Sequence, residues 1–378
     1  MKNFKKISRS IHEWLGITSG LIVFIVSLSG TLFVFCDEVI SISAGEAKYV
    51  QYDGTTNKKS FEELLNNFNE KYPERELFYF DDYKDSNRSF RIASHKKLKD
   101  FTFTYANPYT GEFIKDSRSY WVFFYIAAKI HSQILLNKTG QTIVGISTII
   151  FFFELITGLI LWFPKRWNKK SKQASFTIKK GTKWKRKVYD LHKVLGFYVL
   201  IPALLITVTG LIMSFKILND VTQEVFGGTP NGHELAEKYY PKFEEGKQLV
   251  SLNTIVNNLY LLNPTSNQVR IGFPFSKETK PYYFGVAAEE IGLKTWKNGH
   301  AILINGYTGY PLEMPEKIAK HEVIEQTIFD LHCGFWMGMT GKIITFLSGL
   351  ICTSLPVTGF IFWFSRKRKR KTSKKHQN

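Results

Sequence analysis

The sequence predicts a membrane protein, mainly α, with four transmembrane helices made by an internal duplication and two α+β units outside the bilayer. Three observations predict this: four apolar runs of bilayer length, echoes of the sequence at two fixed offsets, and basic residues confined to three windows.

The first run, residues 15–35, holds 21 residues without a charge. As a helix it extends about 32 Å, against a bilayer core of about 30 Å. It is long for a signal-peptide core, and its counterpart at 194–215 sits mid-chain, so it reads as a retained helix. The other runs are 142–163, 194–215 and 343–364. Pro202 in the third run is expected to be tolerated where neighbouring helices cover the carbonyl it frees.

The formal charge is +19, yet four basic residues lie within 1–9, eleven within 165–187 and eight within 366–375, with no acid in any of these windows. The remainder is near neutral, so no folded domain offers the basic face that a nucleic-acid reader needs. The windows instead set topology, with both termini and the central link in the cytoplasm and membrane lipids as the partner. The expected organisation is 1–36, N-terminus and first span; 37–140, first outer unit; 141–164, second span; 165–191, basic cytoplasmic linker; 192–215, third span; 216–341, second outer unit; 342–364, fourth span; 365–378, basic tail.

Each outer unit opens on a helix capped by serine and closes on a turn. Ser60 precedes Phe61, Leu64, Leu65 and Phe68, and strands are expected at 76–80, 89–93 and 101–105 before Asn107-Pro108-Tyr109-Thr110-Gly111. Ser251 precedes Leu252, Ile255, Val256 and Leu259, with strands at 268–273 and 282–286 before Asn305-Gly306-Tyr307-Thr308-Gly309. Neither unit is large enough to hide a sizeable pocket alone. The three cysteines, Cys36, Cys333 and Cys352, form no metal or haem-attachment motif. Cys36 and Cys333 are both expected near the outer side, where they either pair or remain inert.

The echoes select four of the nine histidines. At an offset of 201, His131, Thr139-Gly140, Ile143, Thr157-Gly158 and Leu161-Trp162-Phe163 map onto His332, Thr340-Gly341, Ile344, Thr358-Gly359 and Phe362-Trp363-Phe364. At an offset of 180, Ile11-His12, Leu15-Gly16 and Ser29-Gly30 map onto Leu191-His192, Leu195-Gly196 and Thr209-Gly210. His12 and His192 precede their spans on the cytoplasmic side. His131 and His332 lie in short interfacial segments, 121–136 and 324–337, that are expected to turn at Gly140 and Gly341.

Ligands of one iron cannot stand a bilayer apart, so His12 pairs with His192 and His131 with His332. Two histidines alone leave a zinc or copper ion undercoordinated, whereas haem supplies four ligands and asks for two, so bis-histidine haem is expected at each pair. Gly158 and Gly359 fall level with the first pair, Gly30 and Gly210 with the second. They admit either a flat macrocycle or ordinary close packing of helices. Glu154, about midway along the second span, is either a proton carrier or a protonated acid bonded to a neighbouring hydroxyl; its counterpart is Leu355. Arg9, Lys193, Lys129 and Lys342 are candidates for haem propionates or membrane anchors. Trp14, Trp162, Trp167, Trp336 and Trp363 read as interface anchors.

The segments I-H-E-W-L-G, D-L-H-K-V-L-G, H-S-Q-I-L-L-N-K-T-G-Q-T-I-V-G and T-G-L-I-L-W-F-P-K-R-W, with N-P-Y-T-G between them, resemble the PepSY-associated transmembrane helix family of bacterial inner membranes. The resemblance spans nearly the whole chain and rests on the ordered set. It implies PepSY-like periplasmic units and an iron-regulated protein or ferric-siderophore reductase, with two b-type haems on His12, His192, His131 and His332. It also implies a periplasmic ferric chelate as acceptor. No G-x-G-x-x-G occurs, so no NAD or flavin site is expected and the donor is a quinol or a separate cytoplasmic reductase. Two other functions are compatible with the sequence: a membrane-anchored protein that binds peptides or restrains a peptidase, and a transporter of iron or a chelate.

Overall fold

The computed structural model describes residues 2–96, 101–117, 119–274, 280–293 and 295–375. In chain order the helices are α1 (Lys2–Phe33), α2 (Cys36–Ala44), α3 (Phe61–Lys71), α4 (Ser119–Gln133), α5 (Asn137–Trp162), α6 (Lys169–Phe176) and α7 (Trp184–Tyr198). They continue as α8 (Leu200–Ser214), α9 (Lys216–Val225), α10 (Gly232–Ala236), α11 (Leu252–Leu262), α12 (Glu316–Cys333) and α13 (Gly338–Lys375). The strands are β1 (Glu76–Tyr83), β2 (Phe90–His95), β3 (Phe101–Ala106), β4 (Phe113–Ser117) and β5 (Gln268–Gly272). After them come β6 (Tyr282–Ala288), β7 (Glu290–Ile291), β8 (Trp296–Lys297) and β9 (His300–Asn305). The last three residues of the basic tail, 376–378, lie outside the described residues.

The chain divides into two compact units. The helical unit comprises Met1–Val34, Ile126–Asn219 and Ile328–Asn378. Asn3–Lys48, Asn137–Trp162 and Phe335–Ser365 are long and apolar enough to cross a membrane, and α7 with α8 qualifies as one further span if the pair is counted together. Within this unit α1 packs on α5 and α13, α5 on α8, and α7 on α13. Leu155, Val199, Leu200, Ala203 and Cys352 form a buried apolar cluster among them.

Two expectations need correction here. The run at 194–215 is not one straight helix: α7 and α8 meet at Val199 with a bend of 64°. Pro202 has no N–H to offer Tyr198, four residues earlier, and its ring crowds that carbonyl, so the helix breaks one turn upstream. The interfacial segments do not turn at Gly140 and Gly341 either, because both residues lie inside helices, α5 and α13. The chain reverses earlier, at Ile134, Leu135 and Asn137 in positive φ and at Gly334 and Gly338 in the second case. The two glycines let each span pass over that turn, since a Cβ there would stand 1.7 Å from the Gln133 carbonyl oxygen or 1.9 Å from that of Gly334.

The second unit comprises Phe35–Tyr125 and Asp220–Thr327. The two outer stretches, expected as separate units, share one antiparallel sheet in the order β4-β3-β2-β1-β5-β6-β9, joined where β1 pairs with β5. The expected helices form as α3 and α11, with Ser60 and Ser251 hydroxyls each accepting a backbone N–H three residues on, at 3.1 Å. Their apolar stripes, among them Phe61, Leu64, Phe68, Ile255 and Leu259, bury against Phe80, Phe90, Ile92, Val269 and Ile271 of the sheet. That common core is why two short segments fold as one layer: each alone would leave a sheet edge and half a hydrophobic face bare. Sequence reading missed β4, β9 and the small β7–β8 hairpin.

Asp81 and Tyr79 alternate with Phe80 along β1 and so take the opposite face of the sheet. Asp81 stands opposite Arg91 on β2 and Arg270 on β5 and is fully buried. Its carboxylate accepts from Arg91 Nε at 2.7 Å and from Arg270 Nε at 2.6 Å, while Arg270 lies 3.9 Å from the centroid of the Tyr79 ring. Burial alone would raise the Asp81 pKa, but the two guanidinium charges and their hydrogen bonds outweigh it and hold the group below its ordinary value. A buried charge group therefore clamps the two halves of the sheet at their seam.

Candidate functional site

All four histidines singled out by the echoes lie in the helical unit, and they come together in two pairs. The rings of His12 and His192 have centroids 6.2 Å apart and those of His131 and His332 are 5.9 Å apart. Two imidazoles sharing one metal at nitrogen–metal distances of about 2.0–2.1 Å, with each centroid about 1.1 Å behind its nitrogen, sit roughly 6 Å apart, so both pairs fit. An edge-to-face aromatic contact has similar spacing. What separates the two readings is the state of the nitrogens.

In each histidine, Nδ1 is already committed. His12 Nδ1 lies 2.9 Å from Thr157 Oγ1, His192 Nδ1 2.9 Å from Thr358 Oγ1, and His332 Nδ1 3.0 Å from Thr209 Oγ1. Each of these hydroxyls donates its own proton to a carbonyl one turn back, from Thr157 to Phe153, from Thr358 to Ser354 and from Thr209 to Leu205, so it accepts from the imidazole. His131 Nδ1 donates to the Val26 carbonyl at 2.9 Å. All four rings are thereby fixed as Nδ1–H tautomers with a lone pair on Nε2, and among the described residues no hydrogen bond occupies that Nε2. A histidine held in this way is oriented to ligate a metal through Nε2.

The glycines seat these rings. A Cβ built on Gly158 would lie 3.5 Å from His12 Cε1, one on Gly359 3.3 Å from His192 Cε1, one on Gly210 3.1 Å from His332 Cε1, and one on Gly30 2.7 Å from His131 Cε1. The space each glycine leaves is filled by an imidazole edge.

A cavity of about 810 Å³ opens at the His12 and His192 pair. Both histidines, Glu154, Gly16 and Gly158 line it, with Arg9, Lys183, Arg186 and Lys193 among its basic residues. The volume falls within the range of about 300–1,000 Å³ found for cofactor and ligand sites. Lys342, the other basic candidate with a described contact, is buried with its ammonium 4.9 Å from the Phe335 ring centroid. Glu154 Oε1 stands 2.9 Å from the position a Gly16 Cβ would take, and among the described residues the carboxyl makes no hydrogen bond to a neighbouring Ser or Thr.

The profile described as the PepSY-associated TM region matches residues 9–366. The chain belongs to that family. Among curated proteins, none matches it. As a PepSY-associated TM protein it is a membrane protein, and its described residues include three to four apolar helices of spanning length and a β-sheet unit.

Sequence reading missed one set of side chains in this PepSY-associated TM protein, the threonines that hold Nδ1. Thr157, Thr358 and Thr209 each precede a glycine that was singled out, so the repeated Thr-Gly dipeptide carried the signal. Trp162 also departs from expectation: it is buried, stacked on Phe197 at 3.8 Å, with its indole N–H donating to the Ser175 carbonyl at 3.0 Å. It walls the cavity and is no interface anchor. Among the described residues no disulfide joins Cys36, Cys333 or Cys352.

Proposed function

We propose that the protein is a four-span, internally duplicated b-type cytochrome of the bacterial inner membrane that carries electrons from a quinol or a cytoplasmic reductase to a periplasmic acceptor, chelated ferric iron. In this reading the basic windows hold both termini and the central link in the cytoplasm, and the sheet unit is a pair of fused PepSY-like halves in the periplasm. The observation that carries the proposal is the pair of imidazole couples, each at the ring spacing of a shared metal and each with Nδ1 tied and Nε2 open.

His12 with His192, and His131 with His332, would hold the iron of two haem b groups. A bound haem would supply a one-electron iron couple, with a potential set by its ligands and burial. The chain's own residues do the rest. Thr157, Thr358, Thr209 and the Val26 carbonyl hold the ligand tautomers, and Gly30, Gly158, Gly210 and Gly359 let the rings lie against the helices. Arg9 and Lys193 line the cavity where anionic propionates would need counter-charge. Glu154 places a carboxyl in the same cavity without a fixed hydrogen-bond partner among the described residues, as a proton carrier requires.

A second reading, peptide binding or restraint of a peptidase by the outer sheet, is favoured by the position of β4 at one sheet edge, where an extended peptide could add a strand; at the other edge β9 is already bridged by Pro311. A reduced-minus-oxidised spectrum of the full-length protein purified from haem-replete cells separates the two. The cytochrome reading expects a b-type signal that falls by about half in His12→Ala and in His332→Ala. A colourless preparation overturns it and leaves the peptide-binding reading.

A further inference from the structure

The sheet unit contains a second group of histidines that the echoes do not select. His321 and Glu325 lie one turn apart on α12, and therefore on one face, while His233 comes from α10. His233 Nε2 is 2.9 Å from Glu325 Oε2, and His321 Nε2 is 3.4 Å from Glu325 Oε1, so the carboxylate reaches both rings. The potential ligand atoms of the three residues all lie within 4.8 Å of one another. Tetrahedral ligands held at about 2.0–2.1 Å from a metal stand roughly 3.4 Å apart, so small side-chain rotations bring this set onto one ion.

The surroundings are built for that arrangement. His321 is 4% exposed, and its Nδ1 donates to the Thr229 carbonyl at 2.9 Å. That bond fixes the Nδ1–H tautomer and leaves a lone pair on Nε2, which is buried and makes no hydrogen bond among the described residues. A buried imidazole nitrogen with no partner costs free energy unless something occupies it. His233 repeats the pattern, with Nδ1 3.5 Å from Glu322 Oε2 and Nε2 toward Glu325. A backbone carbonyl or carboxylate behind each ligating ring is the usual outer partner of a metal-bound histidine. The close approach of α10 depends on Gly232, where a Cβ would fall 2.2 Å from His321 Cγ.

We propose that His233, His321 and Glu325 form a site for a divalent first-row transition ion, with Glu322 orienting His233 and a fourth position left to water or an exogenous ligand. Two imidazoles and one carboxylate suit zinc, ferrous iron or cobalt over magnesium or calcium, which prefer sets made entirely of oxygen. The site needs no haem, so it stands or falls apart from the cytochrome reading.

The test uses tag-free, full-length protein in detergent, stripped with chelator and titrated with Co²⁺. One equivalent per chain is expected, with the visible ligand-field bands of a nitrogen and oxygen site, displaced by Zn²⁺. His233→Ala and Glu325→Gln are expected to weaken binding at least ten-fold with unchanged haem content. His321→Ala is buried and could disturb packing, so exposed His233 is the deciding variant. Absence of saturable Co²⁺ binding at 100 µM, or unchanged binding in both His233→Ala and Glu325→Gln, overturns the proposal.

Discussion

Substituting alanine at the four ring-seating glycines gives a graded test of the histidine couples. A Cβ at Gly30 would stand 2.7 Å from both Cε1 and Nδ1 of His131. Carbon atoms pack at about 3.5–4.0 Å, so the ring must retreat by about 0.8 Å. It cannot swing freely, because Nδ1 is bonded to the Val26 carbonyl at 2.9 Å. Metal–ligand distances tolerate only about ±0.2 Å, so a displacement of that size would take His131 out of reach of an iron shared with His332. The same arithmetic gives about 0.4 Å at Gly210, about 0.2 Å at Gly359 and none at Gly158, from contacts of 3.1, 3.3 and 3.5 Å. Haem per chain and the reduced-minus-oxidised spectrum, measured on full-length protein, should therefore follow one order. Gly30→Ala loses the group held by His131 and His332, Gly210→Ala loses part of it, Gly359→Ala is marginal and Gly158→Ala matches wild type. Full haem content in Gly30→Ala, or a loss in Gly158→Ala as large as in Gly30→Ala, would refute the seating argument.

Three further outcomes follow from the same geometry. Thr157→Val and Thr358→Val remove the acceptors of His12 and His192 Nδ1; by analogy with other outer-shell partners, loss of haem to a scavenger protein should quicken about 10–100-fold, and an unchanged rate would show the bonds to be incidental. Asp81→Asn leaves Arg91 and Arg270 buried without their carboxylate and should destabilise the sheet unit by about 3–5 kcal/mol in a denaturant melt. Because the Asp81 pKa is lowered in the fold, its stabilisation is complete above the unfolded value of 3.8 and is lost as pH falls through the lower folded value. Acid melts of wild type should steepen below that point, and those of Asp81→Asn should not. Glu154→Leu should keep both haems and melt no earlier than wild type while slowing reduction of a ferric chelate; an early melt or lost haem would assign Glu154 to the scaffold.

The helical site was legible in the sequence because ligand geometry imposes spacing. Thr157-Gly158 and Thr358-Gly359 recur at an offset of 201 and Ser29-Gly30 and Thr209-Gly210 at 180, although each of these glycines faces a histidine of the other echo. The sheet was less legible. Strand pairing between β1 and β5 joins residues nearly 190 apart, and nothing local in 76–83 or 268–272 names its partner. The bend at Val199 was missed because Pro202 was weighed as a tolerated residue, although Pro356 within α13 causes no break and the same chemistry has two outcomes in one chain. His233 and His321 went unnoticed for a related reason: they come from separate helices and recur nowhere, so only the fold brings them within reach of Glu325.

Glu154 bears on how the two proposed halves diverged. The carboxyl lies against Gly16, with Oε1 2.9 Å from where a Cβ would be, and Leu355 lies against Gly196, with Cδ2 3.7 Å from the equivalent point. Gly16 and Gly196 are themselves counterparts, so one seat on the helix surface takes an acid in one half and an aliphatic chain of similar length in the other. Packing therefore does not demand the acid. Placing a carboxyl in an apolar span with no hydrogen-bond partner among the described residues costs free energy that leucine would not. In the proposed cytochrome, a group that is unnecessary for packing and unfavourable for stability, yet set in the wall of the cavity at His12 and His192, would take up a proton released when a quinol is oxidised. On that proposal the half containing His12 would be the one adapted to the donor, since Glu154 has Leu355 as its counterpart in the other.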